Sequence, residues 1–194
     1  GPRVSADAVL VRCCLTGDAA ATRELVERFS PDVFALCLRI LHHRQDAEDV
    51  TQDVFLRVFR SLKRWDEARP LRPWILGIAV NRCRTALSTR ARRPVTTDFL
   101  HDTPDRRPGD DSGDVVREMR VAVDSLRDEH REVFILFHEH GQSYEEISTV
   151  IDRPVNTVKT WLHRARLRVL DHLRSRGLVP KDETLVSSPE DPKR

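Results

Sequence analysis

Residues 94 to 114 constrain the fold more than any other stretch. They hold three prolines, two glycines and six acidic residues, with only Val95, Phe99 and Leu100 as larger apolar side chains. Such a stretch cannot fill a core, so it is expected to be a flexible acidic linker. It divides a chain of 194 residues into two parts, each sized for one small domain.

On either side the apolar residues recur at three- and four-residue steps and strand signals are nearly absent, so the predicted class is all-α. Helices are expected over Ser30 to Leu41, Asp46 to Leu62 and, after the break at Pro70 and Pro73, Trp74 to Thr89. On a wheel of about 100° per residue, Val50, Val54, Phe55, Val58 and Leu62 share one arc. Asp46, Asp49 and Asp53 fall on the opposite one, so this helix buries one side and presents carboxylates on the other. The expected divisions are a first domain at 6–93, a linker at 94–114, a second domain at 115–176 and a disordered tail at 177–194, marked by Pro180, Pro189 and Pro192.

With 39% hydrophobic and 33% charged residues, the chain suits compact cores and not a bilayer. Its longest apolar runs, such as Val133 to Phe137, fall far short of the roughly 18 to 20 residues a span needs. Arg12 interrupts Ala8 to Leu15, so no signal peptide is expected, and Gly1-Pro2 reads as a protease-trimmed end. The expected location is cytoplasmic. Cys13, Cys14, Cys37 and Cys83 show no CxxC spacing and fall within apolar periodic stretches, as reduced, buried thiols do.

The net charge of +2 hides a segmental pattern. Residues 1–93 carry 17 Lys and Arg against 11 Asp and Glu, and residues 157–176 carry 6 against 1. Residues 94–114, with 2 against 6, and 115–156, with 5 against 9, are acidic. Two basic clusters, Arg82 to Arg93 and Lys159 to Arg176, point to a polyanion met at two separate places.

The most specific local signal lies in the second half. Ser143-Tyr144-Glu145-Glu146 matches a capping box, with Ser143 capping a helix and Glu146 reaching back to its amide. That helix must end before Pro154, and Asn156 is expected to cap a second one running to about Arg176. A short helix, a tight turn and a basic helix make a helix-turn-helix. On the second helix Val158, Leu162, Ala165, Val169 and Leu173 form a packing stripe. Thr157, Thr160 and Arg164 share the opposite face near the N-terminus, where a recognition helix meets base edges and phosphates. In the first half, Trp65, Trp74 and Asn81 with Arg82, Arg84, Arg90, Arg92 and Arg93 combine stacking surface, a base-reading amide and phosphate partners.

Asp46-Ala47-Glu48-Asp49-Val50-Thr51-Gln52-Asp53-Val54-Phe55, then Arg72-Pro73-Trp74-Ile75-Leu76-Gly77-Ile78-Ala79-Val80-Asn81, then Tyr144-Glu145-Glu146-Ile147, then Thr157-Val158-Lys159-Thr160 with His163-Arg164-Ala165-Arg166, stand in a fixed order. Over about residues 6 to 175 the chain resembles the bacterial extracytoplasmic-function sigma factors of the sigma-70 family. The resemblance implies a transcription initiation factor with a sigma-two helical bundle and a sigma-four helix-turn-helix domain, with no cofactor and no active site. It implies that Asp46, Asp49, Gln52 and Asp53 dock on the clamp coiled coil of core RNA polymerase. It assigns the minus-ten element of promoter DNA to Asp66, Glu67, Ala68, Arg69, Leu71, Trp74, Asn81, Arg82 and Arg84. The minus-thirty-five element falls to Arg153, Asn156, Thr157, Lys159, Thr160, Trp161 and Arg164. The family usually has Gly at 156, Arg at 161 and Phe at 71, where this chain has Asn, Trp and Leu. An anti-sigma factor is an expected partner, around which the linker would let the domains rearrange.

Two other classes fit less of the chain. A conventional helix-turn-helix regulator with a dimerising or ligand-binding N-terminal domain accounts for the second half but not for the carboxylate row followed by Trp, Asn and arginines. An enzyme would have to use His42, His43, His138 or His140. On one helix His138 and His140 point about 200° apart and cannot share a metal without other ligands.

Overall fold

A computed structural model describes residues 5–92 and 111–180. Among them there are eight α-helices and no strand: α1 (Ala6–Leu15), α2 (Ala19–Leu41), α3 (Arg44–Ser61), α4 (Leu71–Ala91), α5 (Asp111–Asp124), α6 (Asp128–His138), α7 (Tyr144–Ile151) and α8 (Val155–Ser175). A single 3-10 turn, Leu62–Arg64, extends α3. The linker expected at 94–114 and the tail beyond Pro180 lie outside the described residues, except that α5 already begins at Asp111.

Local chemistry sets the helix starts. Ser5 Oγ accepts from the Ala8 amide at 3.1 Å, and Asp18 Oδ1 accepts from Ala20 and Ala21 at 2.8 and 3.1 Å. Each satisfies amides that a first turn leaves without partners. α2 ends at His42 in the left-handed region (φ 58°), and His43 Nδ1 then accepts from the Asp46 amide at 3.3 Å to open α3. Three helices differ from the periodicity. α2 begins eleven residues before Ser30 and runs through Pro31, because that proline and Glu27, whose carbonyl it leaves without its helical donor, both lie on the exposed side of the helix. α4 starts at Leu71 and not Trp74, since Pro73 falls in the first turn, where a missing amide costs nothing. α8 starts at Val155 behind Pro154 with no side-chain cap, so Asn156 lies inside the first turn and does not cap it.

α2, α3 and α4 pack on one another with α1 alongside, burying Leu25, Val33, Leu36, Ile40, Val54, Val58, Ile75 and Val80. The opposed arcs of α3 are as expected, with Val54, Phe55 and Val58 buried and Val50 packed at the edge of the core. In the second half the full stripe Val158, Leu162, Ala165, Val169 and Leu173 is buried against α5, α6 and α7. Ser143 and Glu146 form the reciprocal capping box, at 3.1 and 2.8 Å. The helix-turn-helix corner is closed by Asp152 in the left-handed region (φ 54°) and by the Ser148 hydroxyl donating to the Arg153 carbonyl at 2.6 Å.

The two bundles are packed together, which periodicity does not reveal. α4 lies against α7 and α2 against α6. All four cysteines are free thiols; Cys37 and Cys83 are buried in the first bundle, while Cys13 and Cys14 are half-buried. No described helix is long and apolar enough to cross a membrane.

Candidate nucleic-acid interface

The carboxylates of α3 divide into two kinds. Asp49 is exposed and, among the described residues, accepts only from Gln45 Nε2, one turn earlier, at 3.1 Å, and Gln52 is exposed beside it. Leu56, 57% exposed, continues their face at the helical step from 49 through 52 to 56. Asp46 and Asp53 are instead tied inward. Asp46 faces Arg90 at 3.8 Å and His43 at 3.7 Å. Asp53 accepts from Arg82 Nε at 2.5 Å and Arg57 Nε at 3.2 Å. Desolvation works to raise the Asp53 carboxyl, and hydrogen bonds from Arg57 and Arg82 outweigh it, holding the group below its usual range.

Between α3 and α4 runs an open groove of about 500 Å³, lined by Arg57, Arg60, Ser61, Arg64, Ile78, Asn81, Arg82 and Thr85. The exposed Asn81 amide thus stands among four guanidinium groups and two hydroxyls, a lining suited to a phosphate backbone and one base edge. The sequence reading does not single out Arg57, Arg60 and Arg64; Arg57 and Arg60 fall within the expected helix at a spacing of three residues, and Arg64 lies just beyond it, in the 3-10 turn.

The segment from Asp66 to Pro70 is exposed throughout and held by its own turn. The Ala68 amide donates to Asp66 Oδ1 at 3.0 Å, and the Arg69 amide to the Asp66 carbonyl at 2.9 Å. Glu67 is gripped by Arg12 through two bonds, at 3.1 and 2.7 Å. Leu71 and Trp65 are core residues, 0% and 7% exposed, so Leu71 anchors the end of this segment and presents nothing to a ligand. Trp74 is half-buried against the same core. Arg84 points away from the groove, donating to Glu132 of α6 at 2.9 and 2.5 Å.

On α8, Thr160 and Arg164 are exposed and Thr157 half-exposed on the face opposite the buried stripe. The Thr160 hydroxyl donates back to the Asn156 carbonyl at 3.0 Å. Among the described residues Arg164 has no carboxylate partner. Arg153 is exposed at the corner, and Lys159 Nζ sits 5.4 Å above the Tyr144 ring. Tyr144 in turn stacks on Phe137 at 5.3 Å, with Arg166 over Phe137 at 4.9 Å. Trp161 is half-buried with its ring 6.2 Å from that of His130 on α6, so it packs between helices. His138 ends α6 and the buried His140 lies beyond it, so the two do not share a helix as the sequence reading assumed. No group of three or more His, Cys, Asp or Glu able to hold a metal occurs among the described residues.

Two family models match the chain, Sigma-70 region 2 over residues 25–93 and Sigma-70, region 4 over residues 117–169. The chain is 31% identical over 169 residues to the ECF RNA polymerase sigma factor SigE of Mycolicibacterium smegmatis, covering 81% of this chain and 65% of that one. It therefore spans just under two thirds of that relative's length. It is 30% identical over 176 residues to the ECF RNA polymerase sigma-E factor of Escherichia coli K12, covering 82% of this chain and 90% of that one. Its fold is similar to that of CnrH solved with the cytosolic domain of CnrY, with a TM-score of 0.67 at 24% identity over 88% of this chain and 99% of that one. It is also similar to RpoE solved with the anti-sigma factor NepR from Bartonella quintana, with a TM-score of 0.65 at 21% identity over 78% of this chain and 96% of that one.

Proposed function

The chain belongs to the extracytoplasmic-function sigma factors of the sigma-70 family, and on that premise we propose that it directs core RNA polymerase to promoters through two DNA-binding surfaces. The observation that carries this reading is the groove between α3 and α4, where Asn81 is set among Arg57, Arg60, Arg64 and Arg82. A single strand laid there has its phosphates neutralised while one unpaired base meets the amide. The exposed segment from Asp66 to Pro70 borders the same strand, with Asp66, Glu67, Ala68 and Arg69 as its minus-ten contacts. Leu71 and Trp74 support that segment from beneath.

In the second domain Thr157, Thr160 and Arg164 enter the major groove of the minus-thirty-five element. Lys159 and Arg153 meet phosphates at the start of α8, where amides without a side-chain cap favour an anion. Polymerase docks on Asp49, Gln52 and Leu56, a small apolar centre ringed by acceptor groups that complements a basic partner. Asp46 and Asp53 shape that face by holding α3 to α4. The reading requires no catalytic residue and no cofactor, and it places the protein with polymerase in the cytoplasm. An anti-sigma factor that competes for these surfaces is part of the proposal, supported by the similarity in fold to RpoE, solved with the anti-sigma factor NepR. A ligand-binding regulator is not favoured, because the first bundle matches a sigma region throughout α3 and α4.

The test is reconstituted transcription with core polymerase on a promoter mapped for this factor. Asn81→Ala is expected to slow open-complex formation about tenfold or more on the matched minus-ten element, as the loss of a buried base contact does. On a scrambled element it should have little effect. Equal losses on both templates would refute base reading at Asn81.

A further inference from the structure

The segment from Asp66 to Pro70 is pinned at both ends by core residues, Trp65 before it and Leu71 after it. Within it the bonds are its own: Asp66 accepts from the amides of Ala68 and Arg69 and faces the Arg69 guanidinium at 3.7 Å. Among the described residues, the one side chain from elsewhere that bonds to it is Arg12 of α1. Arg12 Nε donates to Glu67 Oε1 at 3.1 Å and Nη2 donates to Oε2 at 2.7 Å, a side-on pairing of fork and carboxylate. Such a pair fixes direction as well as distance, which the point charge of a lysine does not.

α1 is itself held firmly. Ala8, Leu10 and Val11 are buried, and the helix packs on α2 and on the 3-10 turn that leads into Trp65. Asp7 meets Arg28 of α2 at 2.9 Å, so the start of α1 is tied down as well. Arg12 stands in its last turn, where the helix dipole favours a cation. The whole helix precedes residue 25, where the match to Sigma-70 region 2 begins. Arg12 offsets a charge as well as fixing a place: a free carboxylate beside Asp66 would repel the phosphates of a strand laid along this segment. Hydrogen bonds from Arg12 hold the Glu67 carboxyl below its usual range, against desolvation, so it is ionised and can only accept. Each of its oxygens keeps a lone pair beyond the one Arg12 takes. Adenine, cytosine and guanine each carry an exocyclic amine that can donate to such a group; thymine carries none.

We propose that Arg12 is a positioning residue for base selection: it holds Glu67 so that the carboxylate accepts from the exocyclic amine of one unpaired base and thereby disfavours thymine. The inference rests on the promoter-binding reading above and adds to it a choice of base at the exposed segment. Glu67 does the reading, and α1 supplies the fixed point from which it reads. Without Arg12, the tip of the segment has only its own turn to place it, and the carboxylate no longer meets the base from one direction.

The test is open-complex formation by the full chain with core polymerase, on templates carrying each of the four bases in turn at every minus-ten position. The wild type is expected to be slower by about tenfold with thymine at one position, the worth of one lost base contact. Glu67→Gln, whose amide both accepts and donates, should remove that penalty. Arg12→Ala should cut it to about twofold and Arg12→Lys to a value in between, with preferences at the other positions unchanged. The two side chains are 57% and 47% exposed, so melting should stay within about 2 °C of the wild type. Arg12→Glu combined with Glu67→Arg remakes the ion pair but sets a donor fork at 67, which the carbonyl oxygens of thymine can meet, so the penalty should stay lost. No thymine penalty in the wild type, a penalty indifferent to Glu67→Gln, its retention in Arg12→Ala, or its return in the exchanged pair would each overturn the proposal. Asn81→Ala on the same templates separates this inference from the reading it rests on. If that variant also changes no rate, the promoter-binding reading fails; silence of the Arg12 and Glu67 variants alone removes only the role given to Arg12.

Discussion

The basic surfaces of the two domains are prepared differently. In the α3–α4 groove, Arg57 and Arg82 already share Asp53, while Arg84, turned away from the groove, is held by Glu132. On α8, Arg164 has no carboxylate partner among the described residues, and Lys159 rests on an aromatic ring. The first surface must exchange internal partners for phosphates, so part of its binding energy goes into breaking ion pairs. The second is set for DNA as it stands. A substitution on α8 therefore reports on recognition, whereas the same substitution at Arg82 or Arg84 also loosens the protein.

The acidic side of α3 carries the same contrast and offers its strongest test. If its carboxylates serve only to hold arginines, Asp49 has no task, because among the described residues it accepts only from Gln45. If Asp49 and the exposed Leu56 form a docking face, Asp49→Lys combined with Leu56→Asp should weaken core polymerase binding roughly a hundredfold, about 3 kcal/mol, as loss of a charged and an apolar anchor does. Thermal stability should stay within about 0.5 kcal/mol of the wild type, as for surface changes generally. Reversing Asp53 would not make this point cleanly, since a Lys there would face Arg57 and Arg82 at ion-pair distance. Unchanged polymerase affinity in the Asp49 and Leu56 variant would break the division between free and engaged acids.

Arg164 gives the next largest effect. Arg164→Ala should cost roughly 1 to 3 kcal/mol on the matched minus-thirty-five duplex and relax preference at one base, if its fork meets a guanine. Competition binding against duplexes varied at single positions reads this directly. A loss uniform over all sequences would make Arg164 a phosphate contact, and α8 would then position the protein without reading through that residue.

Much of this architecture was legible in the sequence wherever the cause is local. The stripe from Val158 to Leu173, the opposed arcs of α3 and the Ser143–Glu146 box are all visible as spacing, because one helix turn decides them. Helix starts were less legible where a proline's effect depends on position: Pro31 is tolerated on an exposed face and Pro73 within a first turn. Asn156 looks like a cap but lies inside α8, because Pro154 already supplies the extended residue before it. The docking of the two domains left no trace in periodicity. Arg84 and Glu132 are 48 residues apart and Asp32 and His140 are 108 apart, pairings that only the tertiary fold creates. The same holds for Arg84 itself, read from sequence as a DNA contact and found holding a buried carboxylate.

The smallest expected effect is one of pH, and it separates the two surfaces again. His130 of α6 is half-buried near Trp161, and burial first, then Arg127, push its pKa below the ordinary 6.5 against an opposing pull from Glu129, with Arg164 and Arg168 adding smaller downward pushes. A group whose folded pKa is depressed lends stability that is full above the unfolded value and is lost as pH falls through the folded one. The second domain should therefore melt at a lower temperature at pH 5 than at pH 7, and His130→Gln should flatten that slope. When a duplex reaches α8, its phosphates offset the charge of Arg164 and Arg168, so the His130 pKa should rise on binding and DNA affinity should gain as pH falls through the same range. No histidine lines the α3–α4 groove, so single-strand affinity there should lack this dependence. Following the His130 ring by NMR, with and without the duplex, checks the shift. A ring that titrates at the same pH in both states would mean that DNA on α8 does not approach Arg164 and Arg168 closely enough to change the field at His130.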